Sequence, residues 1–362
     1  MRKVLQVSGS EFRDARHGFC SSFLHTKLRQ IPLVGVAALS LIGMLALSGC
    51  NNSGTSAPPS GSPGNSSGPA NPPPGGKRIA IISPAKTSEF HNELPKGAAD
   101  EAKKLGWPDI IDKAPQKEDD YAGQVSQAQD VIQQRPDAIS VCGINPQALD
   151  QIIKKANDAK IPIWVHNQIT PVKGDVVAYV GYDEREGGKL CGEKAAELIK
   201  AKNGDYRGEV AILDGEPGAH TDERAGGFKD ALKKYPNIHI DAEQNGKWDR
   251  AMGNTTTKDW LQKYDKLDLV FGCSDAMAQG ASKAGADAKH PLLTIGIDGN
   301  KTSLEDVRDG KLTATLAVQP RVIGATIVDS MNDYFNKKDQ LKVIKTKMAI
   351  VTKDNVGAFL PK

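Results

Sequence analysis

From Lys77 onward the chain alternates short, almost uninterrupted apolar runs with longer stretches of mixed polarity. The runs at 79–83, 137–141, 161–165, 176–180, 210–213, 267–271, 292–297 and 311–318 predict strands, because a short apolar run bounded by turn residues is what a strand covered on both faces requires. Helices are predicted at about 89–105, after Pro146 and over 300–309. Alternating strand and helix units imply parallel sheets with helices on both faces. More strands are present than one compact sheet of this type usually carries, so the chain is expected to form two α/β lobes with a cleft between them.

One stretch concentrates the candidate chemistry. GEPGAHTDERAGGF, 215–228, follows the apolar run Val210, Ala211, Ile212, Leu213. It reads as a strand ending in a Gly/Pro loop that turns into a helix carrying Arg224. Ala225, Gly226 and Gly227 are small enough to let that helix sit close on a sheet. Loops at the carboxyl ends of strands line the crevice of an open α/β sheet, and helix N-termini aim N–H groups into it. Arg224 is therefore a candidate donor to a ligand; a solvated surface arginine is the other reading of the same stretch.

The N-terminal segment follows neither pattern. Basic residues up to Arg29 precede a mostly apolar run at 31–47, short for a membrane-spanning helix and suited to the core of an export signal. Leu47, Ser48, Gly49 and Cys50 follow and resemble the lipobox of bacterial lipoproteins, in which the cysteine is lipidated and becomes the first residue of the mature chain. A retained transmembrane anchor is the alternative. Nearly every residue of 51–76 is Gly, Pro, Ser or Asn, a composition that buries too little apolar surface to fold. The expected organisation is a signal peptide at 1–49, then lipidated Cys50 with a disordered linker to residue 76, tethering a folded body at the extracytoplasmic face of a membrane.

Charge changes the picture once the leader is set aside. The 362 residues carry 47 Lys/Arg and 44 Asp/Glu, of which six and two lie in 1–49; the remaining 41 and 42 leave the rest near neutrality, with no reason to expect a nucleic-acid partner. Past Cys50 the cysteines are Cys142, Cys191 and Cys273. A bridge from Cys142 to either of the others would tie the two lobes together, so none is expected. His91, His166 and His220 with Asp214 and Asp298 are the only evident set for metal or acid–base work. They lack HExxH spacing, and the chain has neither a GxSxG elbow nor a P-loop. No enzyme activity, metal or cofactor is expected.

Six segments, in order, bring a family into view: IPIWVHNQ (161–168), GEPGAHTDERAGGF (215–228), GKWDRAMG (246–253), LVFGCSDAMAQGA (269–281), TIGIDGN (294–300) and DGKLTATLAVQP (309–320). Together they resemble the type I periplasmic sugar-binding proteins, especially the ribose-binding branch. The resemblance implies two Rossmann-like lobes with parallel sheets, joined by a three-segment hinge near Gly181, Val318 and Lys347. Residues 77–181 with 319–347 would form the N-terminal lobe, and 182–318 with 348–362 the C-terminal lobe. It also implies a ligand set. Phe90 stands at the first of two stacking aromatics and His91 at the second; Asn145, Arg224, Trp248 and Asp298 stand at ligand positions. His166 and Asn167 replace an Asp-Arg pair, Ser274 replaces an Asn, and Gln319 lies beside Val318, which occupies the place of a hinge Gln.

The chemistry of these residue types agrees with a sugar or polyol. A carboxylate such as Asp298 and a forked donor such as Arg224 suit vicinal hydroxyls, and Phe90 and Trp248 suit the C–H face of a ring. Local alternatives exist: Ser274 reads as a helix N-cap with Asp275 in the first turn, Asp298 as part of the turn before the 300–309 helix, Phe90 and Trp248 as core, and His166 as a packed histidine. The function implied is a monomeric, membrane-tethered solute-binding protein that delivers a small sugar or polyol to the permease subunits of an ABC transporter. A sensor subunit that presents the ligand to a membrane receptor is the alternative.

Overall fold

The computed structural model describes residues 76–360. The expected leader, Cys50 and the linker as far as residue 75 lie outside the described residues. The chain runs β1 (Ile79–Ile82), α1 (Glu89–Lys104), β2 (Ile111–Lys113), α2 (Tyr121–Gln133), β3 (Ala138–Val141), α3 (Pro146–Asp158), β4 (Ile163–His166) and β5 (Tyr179–Gly181). A second series follows: α4 (Glu184–Asn203), β6 (Gly208–Asp214), α5 (Ala219–Leu232), β7 (Ile238–Asn245), α6 (Arg250–Lys263), β8 (Leu269–Gly272), α7 (Asp275–Asp287), β9 (Leu293–Asp298), α8 (Lys301–Arg308) and β10 (Ala314–Ala317). The chain then returns through α9 (Pro320–Phe335), β11 (Val343–Lys345) and β12 (Ala349–Thr352).

These strands form two six-stranded sheets, in the orders β11-β5-β4-β3-β1-β2 and β12-β10-β9-β8-β6-β7. Every pairing is parallel except β10 with β12, which is antiparallel. Two α/β lobes result. The chain passes between them three times: from β5 to α4, from β10 to α9, and from β11 to β12. Among the described residues no helix is long and apolar enough to cross a membrane.

The strands that form the middle of each sheet are those predicted from apolar runs. β1, β3, β4 and β5 are buried at every residue, as are β8 and β10, because helices cover both faces of a parallel sheet. The four strands absent from the sequence reading are β2, β7, β11 and β12, which are the four sheet edges. Each has only one strand neighbour and is mostly exposed or half-buried. Their sequences therefore carry no continuous apolar run to read.

The small residues of α5 act differently from the expectation. They bring helix to helix rather than helix to sheet: a Cβ on Gly227 would lie 2.0 Å from the Arg185 carbonyl, and one on Gly188 would lie 2.1 Å from the Arg224 carbonyl. Only glycine allows α4 and α5 to touch backbone to backbone at these points. The contact sets the N-terminal end of α4 against the first turns of α5, where Arg224 lies.

In each sheet the strand order reverses beside the first strand of the lobe, between β1 and β3 and between β6 and β8. Such a switch point leaves a crevice outside the carboxyl ends of the strands, where the outgoing loops diverge. The two lobes present these ends to each other.

Candidate functional site

A cleft of about 620 Å³ lies where the two sets of loops meet. Pro84 and Thr87 after β1, and Cys142 to Ile144 after β3, line it from the first lobe. Glu216 after β6 and Ser274 after β8 line it from the second. Its position is thus a product of topology before any particular side chain is considered.

Arg224 is the best-anchored polar group in the wall. It is 4% exposed, and its guanidinium lies 5.7 Å from the Tyr182 ring and 5.3 Å from the Trp248 ring, within range of the ring faces. Nε donates to Glu184 Oε1 at 3.0 Å and Nη1 to the Cys273 carbonyl at 2.8 Å, while Nη2 forms an ion pair with Glu184 Oε1 at 2.9 Å. A guanidinium has five N–H groups, and these two hydrogen bonds leave three without an acceptor among the described residues. His220, on the same helix, donates from Nδ1 to the same oxygen of Glu184 at 2.8 Å. Burial works against charge on Glu184, but His220 and Arg224 outweigh it and hold the carboxyl below its ordinary range. Among the described residues no group of three or more His, Cys, Asp or Glu is arranged to hold a metal ion.

Trp248 reaches the cleft through an unusual turn. Lys247 and Trp248 both adopt left-handed backbone, φ 56° and 57°, a conformation that costs of order 1 kcal/mol or more per residue. The turn is held by the Gly246 N–H on the Asp214 carbonyl at 2.7 Å and by the Lys247 N–H on Asn245 Oδ1 at 2.7 Å. The indole lies directly on Gly215, where a Cβ would fall 1.9 Å from a ring carbon.

Asp298 ends β9 with φ 149° and lines the cleft. Its Oδ2 accepts from the Asp275 N–H and from Asn300 Nδ2, both at 3.3 Å. Behind it, Asp275 is fully buried and takes the Gly299 and Asn300 N–H groups at 2.9 and 3.2 Å and the Thr315 hydroxyl at 2.6 Å. Burial raises both carboxyls, Asp275 to about 6 and Asp298 well above the ordinary range, with the charge of Asp275 adding to the effect on Asp298. Ser274 combines both sequence readings: it caps α7, accepting from the Met277 N–H at 3.4 Å, and it lines the cleft.

From the first lobe, Phe90, His91 and Asn167 line the cleft. Phe90 and His91 meet edge to face, 5.1 Å between ring centres. Burial keeps His91 neutral, its pKa well below the ordinary value. His91 Nδ1, Asn167 Oδ1 and, across the cleft, Asn300 Oδ1 are buried without a hydrogen-bond partner among the described residues. Buried polar atoms are normally paired, and these three belong to residues that line the cleft from both lobes.

Three of the candidate residues lie elsewhere. Asn145 Oδ1 accepts from the Ala148 N–H at 2.8 Å and so caps α3. His166 is fully buried behind the wall, with Nδ1 2.8 Å from Ser140 Oγ, and burial depresses its pKa to about 3. Gln319 sits exposed at the second crossover with φ 53°. None of the three lines the cleft. The structure adds Glu118, Cys142, Glu216 and Asn300 to the lining. Asn300 follows Asp298 directly in IDGN, and that adjacency was the available signal for it. Cys142, Cys191 and Cys273 are free and buried.

Residues 79–339 match a family profile described as "Periplasmic binding protein domain". The ribose import binding protein RbsB of Bacillus subtilis is 33% identical over 264 residues, 73% of this chain and 83% of that protein. The D-allose-binding periplasmic protein of Escherichia coli is 29% identical over 265 residues, 70% of this chain and 83% of that protein. Among solved structures, an ABC transporter periplasmic solute binding protein from Actinobacillus succinogenes with bound D-allose is similar with a TM-score of 0.71 at 28% identity, covering 78% of this chain and 99% of that one. An ABC transporter solute binding protein from Bacillus halodurans with bound myo-inositol gives 0.68 at 26% identity, covering 78% and 97%. These relatives are named for binding and transport, not for catalysis.

Proposed function

Because this chain belongs to the periplasmic binding protein family, we propose that it captures a small sugar or polyol in the cleft and delivers it to an ABC permease. In this reading it works as a monomer at the extracytoplasmic face, held to the membrane by acyl chains on Cys50. Its lobes are 77–181 with 319–347 and 182–318 with 348–362, hinged near Gly181, Val318 and Lys347. Phe90, His91 and Asn167 serve as ligand contacts on one side, and Arg224, Trp248, Ser274 and Asp298 on the other.

The observation that carries the reading is Arg224, buried near two aromatic rings with three N–H groups unused among the described residues, in a cleft that Asp298 also lines. That combination offers a forked donor, a carboxyl acceptor and an apolar ring face within one small volume. A hydroxylated ring or chain needs all three. Contacts from both lobes are available together only when the cleft is closed, so ligand shifts the population toward the closed form.

The test is thermal unfolding of the purified protein with D-ribose, D-allose and myo-inositol. A ligand at about 100 times its Kd adds about 2.7 kcal/mol of stability, which is a clear rise in the midpoint. Absence of any rise across these sugars at millimolar concentration would overturn the sugar reading.

A further inference from the structure

We infer that Glu184 and His220 belong to the recognition apparatus of the cleft, Glu184 as the residue that positions Arg224 and His220, and His220 as a ligand contact donating from Nε2. This rests on the sugar-binding reading, and it adds two residues to the site.

Glu184 is the first residue of α4, immediately after the first crossover between the lobes. It is 3% exposed and does not line the cleft; His220 and Arg224, which it holds, do. Three nitrogens of two cations converge on its Oε1 at 2.8 to 3.0 Å, two of them through hydrogen bonds. Charge-assisted bonds of this kind fix orientation as well as position. With Nδ1 committed to Glu184, the only free polar atom of the imidazole is Nε2. That atom faces Cys142 Sγ of the other lobe at 3.6 Å.

The protonation state gives that direction its meaning. Burial disfavours charge on His220, but Glu184 and then the Cys142 contact outweigh it and raise the pKa to about 10. Around the ring stand Glu184, Arg224, Cys142, Glu118 and the two neutral histidines, His91 and His166. Glu184 thus holds His220 toward its imidazolium form, and its Nε2–H points at Cys142 Sγ, a weak acceptor. A charged donor without a good acceptor in a closed cleft is costly. A ligand oxygen next to Cys142 would satisfy it. His220 and the spare N–H groups of Arg224 then form one set of donors, rigidly spaced by a shared carboxylate, that selects ligands with neighbouring acceptor oxygens.

The experiment uses ¹⁵N-labelled full-length protein and long-range ¹H–¹⁵N spectra of the imidazoles. At pH 7.5 both nitrogens of His220 are expected to be protonated, with the signals identified by their loss in His220→Asn. In Glu184→Gln, whose amide keeps the shape and one acceptor oxygen, the titration midpoint should fall by about 1–3 pH units. Whichever of D-ribose, D-allose or myo-inositol binds should shift the Nε2 resonance and bind about tenfold or more weakly to both variants. A sugar that binds the wild type and both folded variants alike overturns the inference and leaves sugar binding intact. If none of the three binds, the sugar reading falls. The ring spectra then decide alone: a His220 neutral at pH 7.5, or indifferent to Glu184→Gln, overturns the inference.

Discussion

Glu89, the first residue of α1 in one lobe, accepts from the Thr302 hydroxyl at 2.6 Å and from its backbone N–H at 3.3 Å, at the start of α8 in the other lobe. α8 has no side-chain cap of its own. The cap is supplied across the cleft, by a residue that also lines it, and is available only while the lobes are together. A helix cap is worth about 1 kcal/mol, so Glu89→Ala should weaken ligand binding about fivefold by disfavouring the closed form. In solution scattering the variant should have a larger radius of gyration than the wild type before ligand is added. Equal radii would assign the contact no role in closure.

Arg224 and Trp248 should separate when each is truncated. Arg224→Ala leaves Glu184, a carboxylate 3% exposed, with His220 as its only charged partner, so the variant should lose part of the about 3–5 kcal/mol that breaking a buried ion pair costs. Trp248 is only half-buried, so Trp248→Ala should cost far less stability. Both should bind ligand more than tenfold more weakly, through lost charge-assisted hydrogen bonds of about 1.5–3 kcal/mol in one case and lost ring contact in the other. Denaturant unfolding and calorimetric titration measure the two effects independently.

Gly215→Ala provides a subtler probe of the same ring. A methyl group 1.9 Å from the indole forces Trp248 to move, because its base is backbone and cannot yield. Tryptophan fluorescence should change and affinity should drop, with no group removed. Unchanged fluorescence would mean that the loop absorbs the methyl elsewhere.

Glu118 makes a prediction about pH. It lines the cleft half-buried, and burial foremost, with Glu216 contributing, raises its pKa from 4.5 to about 7 against the opposing pull of His220 and Arg224. The folded protein then retains a proton that the unfolded chain has released. Stability from this residue is unaffected below about pH 4.5, declines as pH rises toward 7, and is level above it. Glu118→Gln should remove that decline, seen as a flatter dependence of the denaturant midpoint on pH than in the wild type.

The anchor is testable at Cys50. Cys50→Ala should leave the protein unprocessed or release it from membranes while ligand binding by the purified protein is unchanged. A variant processed and membrane-bound as before would refute lipid attachment at that position.

Much of the fold was legible because helix-covered strands leave an unbroken apolar record, as at Val210 to Leu213. β7, with Ile238 buried and His239, Asp241 and Glu243 exposed, leaves none. The site divides along similar lines. Arg224 and Asp298 stand where strand-to-helix connections place ligand contacts, and their positions were readable from the local pattern and from the family resemblance. Glu184 was not readable, because its relation to Arg224 spans 40 residues and depends on two helices meeting backbone to backbone. Asn145 and His166 show the converse: Asn and His suit ligand contact and also suit capping and burial, and only the direction of the side chain separates these roles.

The two strands nearest the C-terminus have a consequence for synthesis. β11 covers the otherwise bare edge of β5, and β12 that of β10, so both sheets are finished by residues 343–352. A nascent chain lacking that segment has two apolar sheets, each with an unpaired edge of the kind that invites pairing with other chains. Neither sheet can acquire its last strand until residues 343–352 have been made. Completion of both sheets thereby waits on one ten-residue segment that follows all of their central strands.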